Sequence, residues 1–236
     1  MSEQLPLALR WPAHQRFEDF VVGGNTEVIA LLREVARGTG VDRVYLSAAA
    51  GGGKTHLLFA ACTEAAAHGR AAQYLDLAKL GPAMADTIRR FGGSELLAID
   101  NVDAIAGTRE AEHALFDLYN RCSAEHASLI FSARAAPTAS GFVLPDLVSR
   151  LSASTQWPLR PLDEADRRLA LRQRAARRGI ELDNAVLDWM FTRQVRDLGA
   201  LTRLLDRIDQ ASLAAKRRVT VPFLRQLLDE SDASLS

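Results

Sequence analysis

Cysteine is scarce: the 236 residues contain two, Cys62 and Cys122, 60 positions apart. That spacing excludes a disulfide-stapled scaffold and a cysteine zinc site. Both fall in apolar helical stretches, so buried thiols are expected. Long hydrophobic runs are also missing, and no stretch approaches the ~18–20 apolar residues of a membrane span. The opening Met1-Ser2-Glu3-Gln4-Leu5-Pro6 has no basic segment followed by an apolar run, so no secretory signal is expected. A cytoplasmic location, without membrane contact, follows as an expectation. There is no excess of charge: Lys plus Arg is 29 and Asp plus Glu is 29. A neutral chain suits non-specific coating of nucleic acid poorly, although a local basic patch stays compatible with it. Internal repeats and low-complexity segments are absent.

What is present is enough apolar content, 48%, for a sizeable core, in a length that suits one large domain or two small ones. The first dozen residues lack helical or strand periodicity and hold Pro6 and Pro12; they read as an extended tail. Helical spacing runs over Glu27–Ala36, with Asn25 and Thr26 as cap candidates and Gly38 after it. Strand patterns at 43–47, 72–77, 96–100, 127–132 and 155–159 then alternate with helical patterns at 54–68, 80–91, 110–123 and 145–151. After Pro161 only helical patterns follow, at 163–178, 183–193, 197–216 and 222–230. Alternation predicts a parallel sheet covered by helices. The expected architecture is therefore α/β: a three-layer domain with a five-stranded parallel sheet over residues 13–161, then a small all-helical domain over 162–236, with residues 1–12 as a tail.

The loop between the first strand and its helix reads Ser47-Ala48-Ala49-Ala50-Gly51-Gly52-Gly53-Lys54-Thr55. The phosphate-loop pattern is G-x-x-x-x-G-K-[ST]. Gly53, Lys54 and Thr55 fit it, and Ala48 replaces the first glycine, which is tolerable at negative φ. Glycines at 51, 52 and 53 let successive N–H groups turn toward phosphate oxygens, and the helix N-terminus adds partial positive charge. Lys54 would reach the β- and γ-phosphates and Thr55 would ligate Mg2+. A plain glycine-rich turn uses the same residues; the strand before it and the helix after it favour nucleotide binding. Leu96-Leu97-Ala98-Ile99-Asp100 is an apolar strand ending in an acid, the Walker B form, in which Asp100 would hold Mg2+ through water opposite Thr55.

The phosphate loop with His56-Leu57-Leu58, the run Ile99-Asp100-Asn101-Val102-Asp103-Ala104-Ile105-Ala106-Gly107, and Phe116-Asp117-Leu118-Tyr119-Asn120-Arg121 resemble the DnaA/Hda family of AAA+ proteins. Leu144-Pro145-Asp146-Leu147-Val148-Ser149-Arg150-Leu151 and Val219-Thr220-Val221-Pro222-Phe223 agree with it. The likeness is nearer to the Hda branch, the regulatory inactivators of the replication initiator DnaA, and covers nearly the whole chain. It implies an AAA+ P-loop domain followed by a helical lid, with ADP or ATP and Mg2+ as cofactors. DnaA's N-terminal partner domain and its DNA-reading helix-turn-helix are expected to be missing.

Roles carry over residue by residue. Arg150 matches the Box VII arginine finger, which acts on nucleotide held by a neighbour. Arg196, in Val195-Arg196-Asp197-Leu198, resembles the sensor 2 arginine of the lid. Gln4, Leu5, Leu7 and Leu9 are similar to a clamp-binding motif, with Ala8 where proline is usual; an extended peptide of this kind would offer its Gln amide to polar groups and its Leu side chains to an apolar pocket. Two departures bear on hydrolysis. Asn101 stands where AAA+ ATPases usually carry a second acid, and Ala133 where an Asp is usual at sensor 1. Asp103 is acidic, but three residues on it is expected to point elsewhere. Own ATPase activity is therefore expected to be weak or absent.

The implied function is regulatory inactivation of DnaA: a nucleotide-bound protein, held on the DNA polymerase III sliding clamp loaded on DNA, stimulates hydrolysis of DnaA-bound ATP and prevents re-initiation. The partners would be DnaA, the clamp and further copies of itself, with little direct DNA binding even at Lys216-Arg217-Arg218. The arginines of 167–178 read as a solvated face balanced by acids. Two alternatives stay open: a DnaA-family adaptor that recruits partners without stimulating hydrolysis, and a self-sufficient P-loop ATPase.

Overall fold

Five strands carry the first half of the chain: β1 (Arg43–Ser47), β2 (Ala72–Asp76), β3 (Leu96–Asp100), β4 (Ser128–Ala133) and β5 (Thr155–Pro158). They form one parallel sheet in the order β2-β3-β4-β1-β5. The computed structural model describes residues 11–12, 15–193, 198–215 and 219–226. Every residue of β3 and β4 is buried, which is why these strands read as unbroken apolar runs instead of alternating.

Five helices cover the sheet: α1 (Thr26–Arg37), α2 (Lys54–Ala67), α3 (Met84–Arg90), α4 (Arg109–Ala124) and α5 (Pro145–Ser152). The pleat divides the core in two. Leu97, Ile99, Leu129 and Phe131 face one cluster with Leu115 and Leu118 of α4 and Leu147 and Leu151 of α5. Leu96, Ala98 and Ile130 face the other, with Leu32 of α1 and Leu57, Leu58 and Cys62 of α2. The result is the three-layer α/β arrangement. Cys62 and Cys122 are free and buried, and burial pushes the Cys62 thiol up to about 12.

Local chemistry explains most ends. Gly38 stops α1 in the left-handed region at φ 76°, and Pro145 opens α5. The helical pattern predicted from Leu80 begins only at Met84, because Leu77–Lys79 forms a 3-10 turn and Gly81-Pro82 intervene. Asn25 takes the N-cap position of α1 but makes no cap bond. Its side chain instead donates to the Val22 and Arg160 carbonyls and accepts from the Arg160 amide.

The described residues fall into two compact units, the first ending at Arg160 and the second running from Pro161, with Ala50–Gly52 grouped with the second. The second holds α6 (Glu164–Arg177), α7 (Asn184–Arg193) and α8 (Leu198–Ala215), and 221–226 is also helical. Its own core joins Leu171, Leu187, Met190, Leu201, Leu205 and Leu224. The Asp163 carboxylate accepts the Asp166 amide at 2.8 Å and caps α6. Arg168 of α6 pairs with Glu164 and Asp188, and Arg178, the C-cap of α6, with Asp206 and Asp209. Among the described residues no helix is long and apolar enough to cross a membrane.

Candidate nucleotide-binding site

Where β1 ends, the chain turns through residues 48–53 into α2. The Ala48 amide donates to the Ala133 carbonyl at 3.2 Å, so the β1–β4 pairing extends one step into the loop. Positive φ falls on Gly51 (77°) and Gly53 (89°), and Ala48 is not among the non-glycine residues with positive φ. Gly53 is required twice over. Its φ is strained for any side chain, and a Cβ there would lie 2.6 Å from the Phe20 ring. Phe20 also meets the His56 ring edge-on, and His56 Nε2 lies 2.7 Å from the Arg16 carbonyl oxygen. The segment 16–20 thus braces the first turn of α2.

Lys54 is 7% exposed. Its ammonium donates to the Ala48 and Ala49 carbonyls at 2.6 and 3.2 Å. Burial pulls its pKa down, and the negative charges of Asp100 and Asp103 oppose that shift. A buried cation whose bonding partners are neutral carbonyls suits a site that receives anionic oxygens.

Asp100 ends β3 and is fully buried. Its Oδ2 accepts Thr55 Oγ1 at 2.6 Å and the Tyr74 hydroxyl at 2.8 Å. Its Oδ1 accepts the Ser132 hydroxyl and the Asn101 amide. The Tyr74 phenol is driven well above its ordinary pKa, by burial first and by the Asp100 charge second. The structure therefore brings Gly53, Lys54, Thr55 and Asp100 to one end of the sheet. Thr55 and Asp100 are hard oxygen groups of the kind Mg2+ takes, but both oxygens of Asp100 already accept protein donors; the glycine cradle with Lys54 fits phosphate.

Asn101 sits in the left-handed region at φ 55°, which Asn tolerates better than most residues. Its side-chain amide donates to Asp76 Oδ1 at 2.8 Å. The position of a second acid is thus filled by a donor turned to the neighbouring strand. The negative charge of Asp103 adds to that of Asp100 in favouring the charged form of Lys54. Asp103 Oδ2 is 3.7 Å from Arg134 Nε, and its buried Oδ1 has no hydrogen-bond partner.

Arg150 lies in the last turn of α5, and no hydrogen bond or ion pair among the described residues joins it to these groups. Leu147 and Leu151 fix one face of α5 in the core, and Arg150 is exposed on the other. The entry to α5 is clamped by Glu112, a fully buried carboxylate that accepts the amides of Gly107, Val143 and Leu144. Arg196, Lys216, Arg217, Arg218 and the tail residues Gln4, Leu5, Leu7 and Leu9 lie outside the described residues.

The sequence reasoning did not single out Tyr74, Phe20 or Glu112, and it met Ser132 only as the neighbour of Ala133 at sensor 1. Ser132, a hydroxyl inside an apolar strand, and Tyr74, two residues before Asp76, carried a signal. Phe20 and Glu112 carried none, since their partners are distant in the chain.

The family model for the bacterial DnaA ATPase domain matches residues 12–159, and that for the Hda lid domain matches 163–228. The chain belongs to the Hda/DnaA family of AAA+ proteins. Solved structures agree on the fold. Domain III of the Thermotoga maritima replication initiation protein DnaA is 22% identical, with 94% of this chain and 98% of that chain covered and a TM-score of 0.78. The Aquifex aeolicus DnaA bound to AMPPCP is 21% identical, with 84% and 66% covered and a TM-score of 0.66. Beyond this family the AAA+ fold extends to the Thermotoga maritima RuvB branch migration motor, 18% identical, with 93% and 72% covered and a TM-score of 0.63.

Proposed function

We propose that this protein inactivates the replication initiator DnaA, as a nucleotide-bound AAA+ regulator held on the DNA-loaded sliding clamp. In this reading it binds ADP or ATP through Gly51, Gly52, Gly53, Lys54 and Thr55, with Thr55 and Asp100 facing Mg2+ and Arg196 acting from the lid. Bound Mg2+ supplies positive charge beside the phosphates. Lys54 supplies a second positive charge from the protein, already desolvated. Gln4, Leu5, Leu7 and Leu9 engage the clamp. Arg150 is presented to the ATP of a neighbouring DnaA, where its planar guanidinium stabilises charge on the transferring γ-phosphoryl group.

One observation carries the trans-acting part. Arg150 is exposed and makes no hydrogen bond or ion pair with any described residue, on a helix whose other face is locked into the core. That arrangement supports a cation held in place yet left available to another molecule. The match to the Hda lid model supports the inactivator over the initiator. The side-chain amide of Asn101, turned to Asp76, supports weak hydrolysis by the chain alone, since an amide cannot act as a base.

The test is hydrolysis of DnaA-bound ATP with this protein, with and without DNA-loaded clamp. The wild type should stimulate only with the clamp. Arg150→Ala should fall to the basal rate while nucleotide affinity, clamp binding and melting temperature stay unchanged. An arginine acting in the transition state affects rate and not ground-state affinity. Fingers of this kind contribute about 10³–10⁵ in rate. Arg150→Lys should fail as well. Full stimulation by Arg150→Ala would refute the finger and leave an adaptor as the better reading.

A further inference from the structure

Asp100 is saturated by its own protein. A carboxylate offers about four lone-pair sites, two on each oxygen: Thr55 and Tyr74 take both on Oδ2, while Oδ1 accepts the Ser132 hydroxyl and the Asn101 amide, which it shares with Ser132 Oγ. Asp100 is fully buried, so solvent does not compete for these sites.

The four donors are not equivalent. Thr55 can keep donating to Asp100 while an oxygen lone pair faces a cation, because a hydroxyl has one hydrogen and two lone pairs. The Asn101 amide is backbone, fixed by the left-handed turn after β3. Ser132 lies within central strand β4, at 0% exposure. Tyr74 comes from edge strand β2, where its backbone pairs opposite Ala98 and its side chain takes no part in the ladder. The ring stacks on Phe59, with centroids 4.1 Å apart and planes at 25°. That stacking aims the hydroxyl at the same oxygen that Thr55 uses.

We propose that Tyr74 is a positioning residue that occupies the acceptor site through which Asp100 would hold a hydrated magnesium ion, so that nucleotide binding depends little on Mg2+. The proposal rests on the nucleotide reading above. Binding then relies on Lys54 and the loop amides, which is compatible with holding a nucleotide without turning it over. Tyr74→Phe keeps the ring and its stacking on Phe59 and removes only the hydroxyl, freeing one lone pair on Oδ2.

The experiment is calorimetric titration of the full chain with ADP, in excess Mg2+ and in EDTA, for wild type and Tyr74→Phe, with melting temperatures as a check on folding. For the wild type, the two affinities should agree within about threefold. For Tyr74→Phe, Mg2+ should tighten binding about tenfold, the scale of one hydrogen bond to a charged group. A residue that merely supports the fold would move both affinities together. An unchanged Mg2+ ratio in Tyr74→Phe overturns the proposal. A tenfold or larger Mg2+ effect in the wild type does so by itself, even if the variant fails to fold. No ADP binding by the wild type in either condition overturns the nucleotide reading, and the proposal with it.

Discussion

Asp100 and Arg150 both stand near the ends of elements in one α/β unit, and the fold treats them in opposite ways. Asp100 is 0% exposed and meets four donors. Arg150 is exposed, and its side chain makes no hydrogen bond or ion pair with a described residue. A buried charge must be satisfied at home, because desolvation without partners costs several kcal/mol. A charge that acts on another molecule must stay unspent, because a partner at home would have to be broken on every encounter. Glu112 links the two: it is buried and saturated like Asp100, yet what it holds is the entry to the helix that carries Arg150.

The largest effect should come from breaking that link. Glu112→Ala strips three backbone amides of their acceptor, and the Leu144 residue among them is buried. It should cost about 2–4 kcal/mol of folding stability, read as a lower urea midpoint at unchanged slope. A loss under ~0.5 kcal/mol would mean that water replaces the carboxylate and that the clamp does not position α5.

Lys54→Ala separates satisfaction from function. Its ammonium is buried against neutral carbonyls, and burial disfavours its charge. The substitution should weaken ADP binding by about 100-fold or more while the melting temperature holds or rises. Unchanged ADP affinity would reduce the loop to a glycine-rich turn. A large fall in melting temperature would show that the lysine is structural.

The smallest effect belongs to charges that are both exposed and paired. Arg178, the C-cap of α6, bridges Asp206 and Asp209, and Arg178→Ala should change stability by less than ~1 kcal/mol. A larger loss in a denaturation curve would make the α6 arginines part of the second unit's architecture.

Much of this was legible before any coordinates. The strand pattern at 43–47 and the end of β3 at Asp100 coincide with the observed elements, because central parallel strands and glycine-stopped helices leave strong local signals. Two local readings gave way. The helix predicted from Leu80 starts at Met84. Asn25 spends its side chain on Arg160, 135 positions away, instead of capping α1. The first has a local cause, the 3-10 turn at Leu77–Lys79 and the Gly81-Pro82 that follows it; the second depends on a partner remote in sequence, which spacing along the chain cannot encode.

The sequence by itself determined the alternation of strands and helices, the helical run after Pro161, the phosphate-loop residues Gly53, Lys54 and Thr55, and the family likeness. Those follow from periodicity, from turn chemistry and from residue types that few other tasks require. Only the tertiary structure decided what surrounds them. Pairing β2 beside β3 sets Asp76 opposite Asp100 and brings the Tyr74 hydroxyl to its carboxylate. Folding α5 over α4 seats Leu147 and Leu151 in the core and leaves Arg150 exposed. The physical reason is the same in both cases: a carboxylate's donors and an arginine's exposure are properties of neighbours in space, and the chain acquires those neighbours only when the sheet closes.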